Sequence, residues 1–327
     1  MFIHSILETN SLITVDGDET IDLPVNPLSV VLIHISPLNE TTTITNYHLL
    51  EALLGALTQV RVLFKGSPVV SGSGTDMGVL AMLWHRLVIW QSNAVETDND
   101  RRSIVLPILL GRRPYDAKEC FPESRRGELQ LSMTWDIAAA GFDGLRRSVE
   151  TIELPDAKPE FTQKVTTLAQ TFAATGQNDV ELPVGNVLRA LLCFGTTPFS
   201  GAAPAPSLGQ MEVLVDNVNV GYSSTDFEVS RSLIGLAGVR FPPDFRHIHS
   251  VNAAGAARED TLEPEIGASI DDNYTLLPFD VTWDDVHSLP TAGAGRVNLR
   301  VAAEAADAVR ILPVERVEVS TLQRVPR

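Results

Sequence analysis

The chain has 327 residues, of which 44% are hydrophobic and 20% charged, and its formal net charge is −16. This length suits two domains of about 150 residues each, and the apolar content is enough for buried cores, which excludes a disordered chain. An acidic surface of this kind repels phosphate backbones, so we expect no direct sequence-specific binding of nucleic acid.

Most of the predicted elements are short strands. Apolar or alternating runs that are bounded by Gly, Pro, Asn, Asp or Ser predict strands of this kind. In chain order the runs are LSVVLIHIS (28–36), VRVLF (60–64), LQLSM (129–133), VLRALLCFG (187–195), MEVLV (211–215) and VNLRV (297–301). The chain is therefore predicted to be all-β, with a few short helices.

Two segments of the first half favour helices, NYHLLEALLGAL (46–57) and TDMGVLAMLWHRL (75–87). We expect Thr75 or Asp76 to cap the second of them. Two prolines in LPDAKPEF (154–161) indicate a linker near the middle of the chain.

Six short blocks recur in the same order in the two halves of the chain, which is the signature of two copies of one fold. The pairs are DGDETIDLPV (16–25) with TGQNDVELPV (175–184), LTQVRVLF (57–64) with LGQMEVLV (208–215), SGTD (73–76) with SSTD (223–226), VLPI (105–108) with LLPF (276–279), GELQLSM (127–133) with GRVNLRV (295–301), and VETIEL (149–154) with VERVEV (314–319). Many short strands in a unit of about 150 residues favour a sandwich or jelly roll. We predict two tandem eight-stranded jelly-roll β-sandwich domains, at 1–155 and 156–327.

The paired Leu-Pro-Val blocks, the paired SGTD and SSTD turns and the apolar strand runs resemble the double jelly-roll major capsid proteins of tailless icosahedral viruses. LPILLGRRPYD (106–116) and ELPVGNVLRALLCFGTTP (181–198) are similar to stretches of the capsid proteins of tailless bacteriophages. The resemblance implies self-assembly into a homotrimer of six similar wedges, a pseudo-hexagonal capsomer that packs into an icosahedral shell. Loops at one end of the subunit would face solvent, and the other end would face the genome or an inner membrane.

The same resemblance implies the partners of the chain and its location. The partners would be further copies of the chain, neighbouring capsomers, and penton and minor capsid proteins. The location would be the virion capsid after synthesis in the host cytoplasm. The resemblance implies no catalytic residue, no metal and no cofactor.

The most conspicuous charged segment is GRRPYDAKECFPESRRGEL (111–129), which we call the arginine loop. The equivalent connection of the second half, DVTWDDVHSLPTAGAGRVNL (280–299), carries aspartates where the first carries arginines. A catalytic loop would not exchange its charges so freely between copies, whereas a contact loop can. We therefore predict a subunit interface at Arg112, Arg113, Tyr115, Arg125 and Arg126. A surface loop with locally compensated charge is the alternative.

Three other patterns raise chemical alternatives. HIH (247–249) is similar to the His-x-His of cupins, so a bicupin-like metal-dependent enzyme using His247, His249 and a later His287 is the alternative function. A two-domain carbohydrate-binding or glycan-cleaving sandwich is a third. GSGTDMG (72–78) imitates a dinucleotide-binding turn, but its glycine spacing is wrong, and a turn with a helix cap explains it better.

The two cysteines, Cys120 and Cys193, lie too far apart in sequence to indicate a disulfide framework or a cysteine-rich metal site. Each is predicted to be a buried, reduced thiol. No apolar run is long enough to span a bilayer, and MFIHSILETN at the start lacks the features of a secretory signal. We therefore expect a soluble protein in a reducing cytoplasm.

Overall fold

A computed structural model describes residues 1–39, 50–92, 101–137, 142–196, 207–236 and 273–322 of the chain. Across these ranges the chain is mostly β, as predicted. The strands of the first half are β1 (Ile3–Ile13), β2 (Gly17–Asp22), β3 (Leu28–Asn39), β4 (Leu57–Phe64), β5 (Ser67–Gly72), β6 (Trp90–Gln91), β7 (Ile104–Leu109), β8 (Leu129–Trp135) and β9 (Phe142–Glu153). Those of the second half are β10 (Phe161–Val165), β11 (Leu168–Thr171), β12 (Gly176–Leu182), β13 (Val187–Gly195), β14 (Met211–Val215), β15 (Val218–Asn219), β16 (Tyr274–Pro278), β17 (Leu289–Pro290), β18 (Val297–Ala303) and β19 (Ala308–Glu318). The helices are α1 (Leu50–Gly55), α2 (Gly74–Leu83), α3 (Phe227–Leu236) and α4 (Val319–Leu322).

Both halves arrange their strands in the same order. The first half has one sheet in the order β1-β9-β3-β7-β6 and a facing run β2-β8-β4-β5. In the second half β10 and β11 together take the place of β1 beside β19, followed by β13 and β16, and the other sheet runs β12-β18-β14-β15. Apart from the short β6 and β17, the described residues of each half thus form an eight-stranded jelly roll of two four-stranded layers.

The repeated sequence blocks occupy equivalent strands of the two halves. VLPI lies in β7 and LLPF in β16, while GELQLSM leads into β8 and GRVNLRV into β18. The repeat therefore follows strand positions, and the segments between them differ in length because they are loops. The linker prediction agrees with the strands, since β9 ends at Glu153 and β10 begins at Phe161. The boundary between 155 and 156 falls inside that connection and stays a prediction.

One layer of the second half is covered on both faces. In β13, Leu191 and Cys193 belong to the core of the second half, whereas Ala190 and Leu192 pack in the core of the first. This explains why VLRALLCFG is apolar on both faces, unlike a half-exposed strand, which alternates. The two halves also join in one continuous sheet, where Val165 of β10 pairs in parallel with Val70 of β5.

Helix α2 lies in this shared interior, and nine of its ten residues are buried. Its N-cap is Ser73, so the prediction of Thr75 or Asp76 was wrong. The Ser73 hydroxyl accepts the Asp76 N–H at 3.0 Å, and the Asp76 carboxylate accepts the Ser73 N–H at 3.1 Å. This capping box satisfies two backbone donors at once, which a cap at Thr75 or Asp76 would leave open.

The first helix, α1, begins the described part of the predicted segment 46–57 and ends at Gly55, and Leu57 already belongs to β4. None of the helices in the described ranges is long and apolar enough to cross a membrane.

Candidate interface site at the junction of the two halves

The arginine loop starts where β7 ends, and its middle is buried between the halves. Glu119 forms a parallel bridge with Phe161 of β10, and Phe121 forms an antiparallel bridge with Leu28 of β3. Gly111 passes so close to this segment that a Cβ there would overlap the Glu119 carbonyl oxygen. The loop is therefore fixed to the second half through its backbone before any side chain is considered.

Arg112 points into the junction and is only 7% exposed. Its Nη1 lies 3.0 Å from Asp280 Oδ2, and its Nη2 pairs with Asp285. Its backbone N–H donates to Glu119 Oε1 at 2.9 Å. Two aspartates of the second half thus neutralise an arginine of the first.

Two arginines of the second half complete the group. Arg189 of β13 donates from Nε to Asp285 Oδ1 at 2.8 Å and also binds Glu119. Arg316 of β19 donates to Asp285 Oδ2 at 2.9 Å. We call this group the junction cluster, and its members are Arg112, Glu119, Arg189, Asp280, Asp285 and Arg316.

The junction cluster is electrically neutral, with three guanidinium and three carboxylate groups. Burial alone would raise the pKa of the Asp285 carboxyl, but its hydrogen bonds from Arg189, with the charges of Arg112 and Arg316, hold that pKa well below its usual range. Burial likewise opposes the charge of Arg189, yet the bonds to Asp285 and Glu119 raise its pKa. Asp285 and Arg189 therefore stay charged at neutral pH.

Asp280 also shapes the loop that carries Asp285. Its side chain is fully buried, and Oδ1 accepts the backbone N–H groups of Asp284 at 3.0 Å and Asp285 at 2.8 Å. One oxygen of the Asp280 carboxylate thus stabilises the backbone turn, and the other faces Arg112.

A second polar contact joins the halves at the other end of β19. The Tyr274 hydroxyl donates to Asp76 Oδ1 at 2.7 Å, and Arg310 Nη2 donates to the same oxygen at 2.8 Å. The Arg310 guanidinium lies 3.7 Å from the centre of the Phe194 ring. Asp76 therefore caps α2 and binds the second half at the same time.

A third contact is uncharged. Trp84 donates from Nε1 to Gln163 Oε1 at 3.1 Å, which turns the Gln163 amide nitrogen towards His85 Nε2, also at 3.1 Å. His85 Nδ1 lies 3.1 Å from the Arg112 carbonyl oxygen, so the ring carries its proton there and accepts at Nε2. Burial lowers the pKa of His85 to about 4, and the Gln163 donor favours the same neutral form.

The predicted interface residues fall into two groups. Arg112 is buried and bound to aspartates of the 280–299 connection within its own chain, whereas we had predicted it at a subunit interface. Arg113, Tyr115, Arg125 and Arg126 are exposed. Tyr115, at 52% exposure, packs edge to face against Phe2 with ring centres 5.3 Å apart.

Sequence reasoning missed Arg189, Arg310 and Asp76. The first two are charged residues within apolar strand runs, a pattern that predicts a buried partner. Asp76 was predicted only as a possible cap of α2, without its bond to the second half.

The described part of the chain gives little support to the metal-dependent enzyme or to the dinucleotide-binding turn. His247 and His249 lie outside the described residues, and His287 is exposed. No group of three or more His, Cys, Asp or Glu side chains among the described ranges is arranged to hold a metal. The GSGTDMG turn is the cap of α2, with Asp76 already bound. Cys120 and Cys193 are free and buried, as predicted, and burial raises the pKa of Cys120 to about 12.

No protein-family model matches the sequence, and no curated protein matches it either. Solved structures match along the whole chain. The major capsid protein P2 of bacteriophage PM2 is 12% identical, with a TM-score of 0.60, and the match covers 97% of this chain and 97% of that one. The STIV major capsid protein is 12% identical with a TM-score of 0.64, covering 100% of each chain. A chain from the atomic structure of Sulfolobus Turreted Icosahedral Virus is 14% identical with a TM-score of 0.67, covering 99% of this chain and 94% of that one.

The chain has the double jelly-roll fold. Within that fold the junction cluster lies between the two jelly rolls, at the end where the arginine loop, the interdomain linker and the N-terminus meet. The exposed part of the arginine loop emerges directly beside it.

Proposed function

We propose that this protein is a structural protein, a major capsid subunit that forms homotrimeric, pseudo-hexagonal capsomers of an icosahedral virion shell. The observation that carries the proposal is the end-to-end match to the PM2 and STIV major capsid proteins, in which 97% or more of each chain is covered. The match spans both jelly rolls.

The junction supports this proposal physically. A pseudo-hexagonal tile needs two jelly rolls at a fixed mutual angle, because each trimer must present six equivalent edges. In this chain the layer formed by β13 and β19 is packed on both faces, and two polar contacts join the halves, Arg310 with Asp76 and Arg112 with Asp285. Such a subunit behaves as one rigid block.

The subunit contacts themselves are proposed for the exposed residues of the arginine loop, Arg113, Tyr115, Arg125 and Arg126. Arginine suits such a contact, because its planar fork binds carboxylates with two parallel bonds. A chain with 41 acidic residues offers carboxylates on every neighbouring copy. Arg112 supports the contact indirectly by fixing the loop to the second jelly roll.

The proposal includes the wider assembly. Its partners are other copies of the chain, neighbouring capsomers, penton and minor capsid proteins, and an inner membrane where the virion has one. The protein acts in the virion capsid after synthesis in the host cytoplasm, and it has no enzymatic role.

The test is the mass of the purified protein in solution, followed by negative-stain imaging. We expect a trimer and hexagonal tiles. A strictly monomeric species at high concentration, with no tiles on the grid, would overturn the proposal.

The interface is tested separately by charge reversal. The double variant Arg125→Glu/Arg126→Glu should weaken trimer or shell assembly while its circular dichroism spectrum stays native. The matched control is Arg296→Glu/Lys158→Glu, which reverses two exposed charges outside the arginine loop. Equal effects of the two double variants would refute a specific role for the loop.

A further inference from the structure

Two arginines of the first jelly roll converge on one tryptophan of the second. The Arg86 guanidinium lies 4.4 Å from the centre of the Trp283 ring, and the Arg113 guanidinium lies 5.1 Å from it. Trp283 also packs against Trp84, with ring centres 6.0 Å apart. Each stacking contact is a favourable cation–π interaction, yet together they hold two like charges near each other.

Neither arginine forms an ion pair with a carboxylate among the residues that the structure describes. Partial burial, and then the charge of Arg113, lower the pKa of Arg86, while Asp280 raises it. Asp280 is itself engaged with Arg112, 3.0 Å away. The pair therefore forms a local positive site in a chain whose net charge is −16.

The backbone at this site is held in an unfavourable conformation. Arg86 has a φ of 57° and Trp283 a φ of 60°, both in the left-handed region. A non-glycine residue there costs about 1 kcal/mol, and the surrounding structure must maintain it. Asp280 does so for the loop of Trp283, since it accepts the Asp284 and Asp285 N–H groups. Strain of this kind is typical of ligand clamps.

We propose that Arg86, Arg113 and Trp283 form a binding site for one small dianionic oxyanion of the phosphate class. A guanidinium over an indole ring keeps N–H groups available for hydrogen bonds, and guanidinium groups bind tetrahedral oxyanions through such N–H groups. The acidic chain disfavours a long polyanion such as nucleic acid, because the field of the whole surface repels the rest of it. A single compact dianion is small enough to interact mainly with the positive charges of Arg86 and Arg113.

The experiment is a titration with inorganic phosphate at constant ionic strength, followed by tryptophan fluorescence, with sodium chloride as the reference. We expect a saturable change that chloride does not produce. The double variant Arg86→Gln/Arg113→Gln should bind phosphate about tenfold or more weakly, because charge-assisted hydrogen bonds are lost. Arg296→Gln/Lys158→Gln removes the same charge elsewhere and should titrate like the original protein.

A competition experiment with glycerol phosphate distinguishes a site for phosphate monoesters from a site for free phosphate. If glycerol phosphate displaces phosphate, the site accepts a phosphate monoester. If it does not, the site is specific for the free ion. Both results agree with the proposal. A response no larger than that of chloride, or equal losses in the two double variants, would overturn it. Unchanged phosphate binding in Arg86→Gln/Arg113→Gln would also overturn it, whether or not trimer formation fails. Circular dichroism checks that each variant is folded.

Discussion

Replacing Asp285 by asparagine removes one charge from the centre of the junction cluster. Asp285 accepts hydrogen bonds from Arg189 and Arg316 and pairs with Arg112. After the change three guanidinium groups face two carboxylates, and the new amide turns a donor towards other donors. Removal of one partner from a buried ion pair costs 3–5 kcal/mol, and the 20% exposure of the Asp285 side chain moves the value to the lower end, about 3 kcal/mol.

Urea unfolding followed by tryptophan fluorescence and circular dichroism measures this loss. The matched control is Asp284→Asn, one residue away, which changes an exposed carboxylate bound to Thr282 and to no arginine. The double variant Asp285→Asn/Arg316→Gln restores neutrality and should recover part of the stability, which is a coupling between the two sites. If the free energy of unfolding of Asp285→Asn lies within about 0.5 kcal/mol of that of the control, the cluster does not stabilise the junction and our reasoning is wrong.

Three further changes test neighbouring contacts. Because the folded pKa of His85 is about 4 and the unfolded value 6.5, the unfolded chain binds a proton first, and stability falls as the pH drops through this window. We expect His85 to lower the free energy of unfolding by about 3 kcal/mol between pH 6.5 and 4. His85→Gln should flatten that part of the plot of stability against pH. An unchanged plot would contradict a buried, neutral His85. Gly111→Ala should cost about 2 kcal/mol through the clash with the Glu119 carbonyl, whereas Gly17→Ala, which meets no atom within 4 Å, should be neutral in the same urea titration. Tyr274→Phe should lower the free energy of unfolding by about 2 kcal/mol, because Asp76 loses a buried hydroxyl donor, and an unaltered unfolding midpoint would refute that role.

Much of the fold was predictable because the two halves repeat. Strand pairs such as β8 and β18 kept their residue pattern, so the order of the blocks gave the order of the strands. Cap placement failed at α2 because Ser73 and Asp76 act as a pair, and a search for one capping residue does not detect a pair.

The site was only partly predictable. The arginine loop and the aspartates of 280–299 were both conspicuous in the sequence, and the two segments meet in the structure. Whether they meet within one chain or between subunits depends on how the jelly rolls pack, and residue types alone do not carry that information. Arg113 and Trp283 show the same limit, since their contact arises only when both loops fold to one end of the molecule.

The junction combines two kinds of interaction along a single strand. On the face of β19 that meets the first jelly roll, Leu312 and Val314 lie between Arg310 and Arg316. The two apolar residues supply burial, which has no directional preference and would permit the halves to slide. A buried ion pair adds little net stability over an apolar pair, but it is satisfied in one geometry only. Arg310 bound to Asp76 at one end, and Asp285 held between Arg316 and Arg112 of the first jelly roll at the other, therefore fix the register of the two jelly rolls. The proposed tile of six equivalent edges requires a constant angle between the halves.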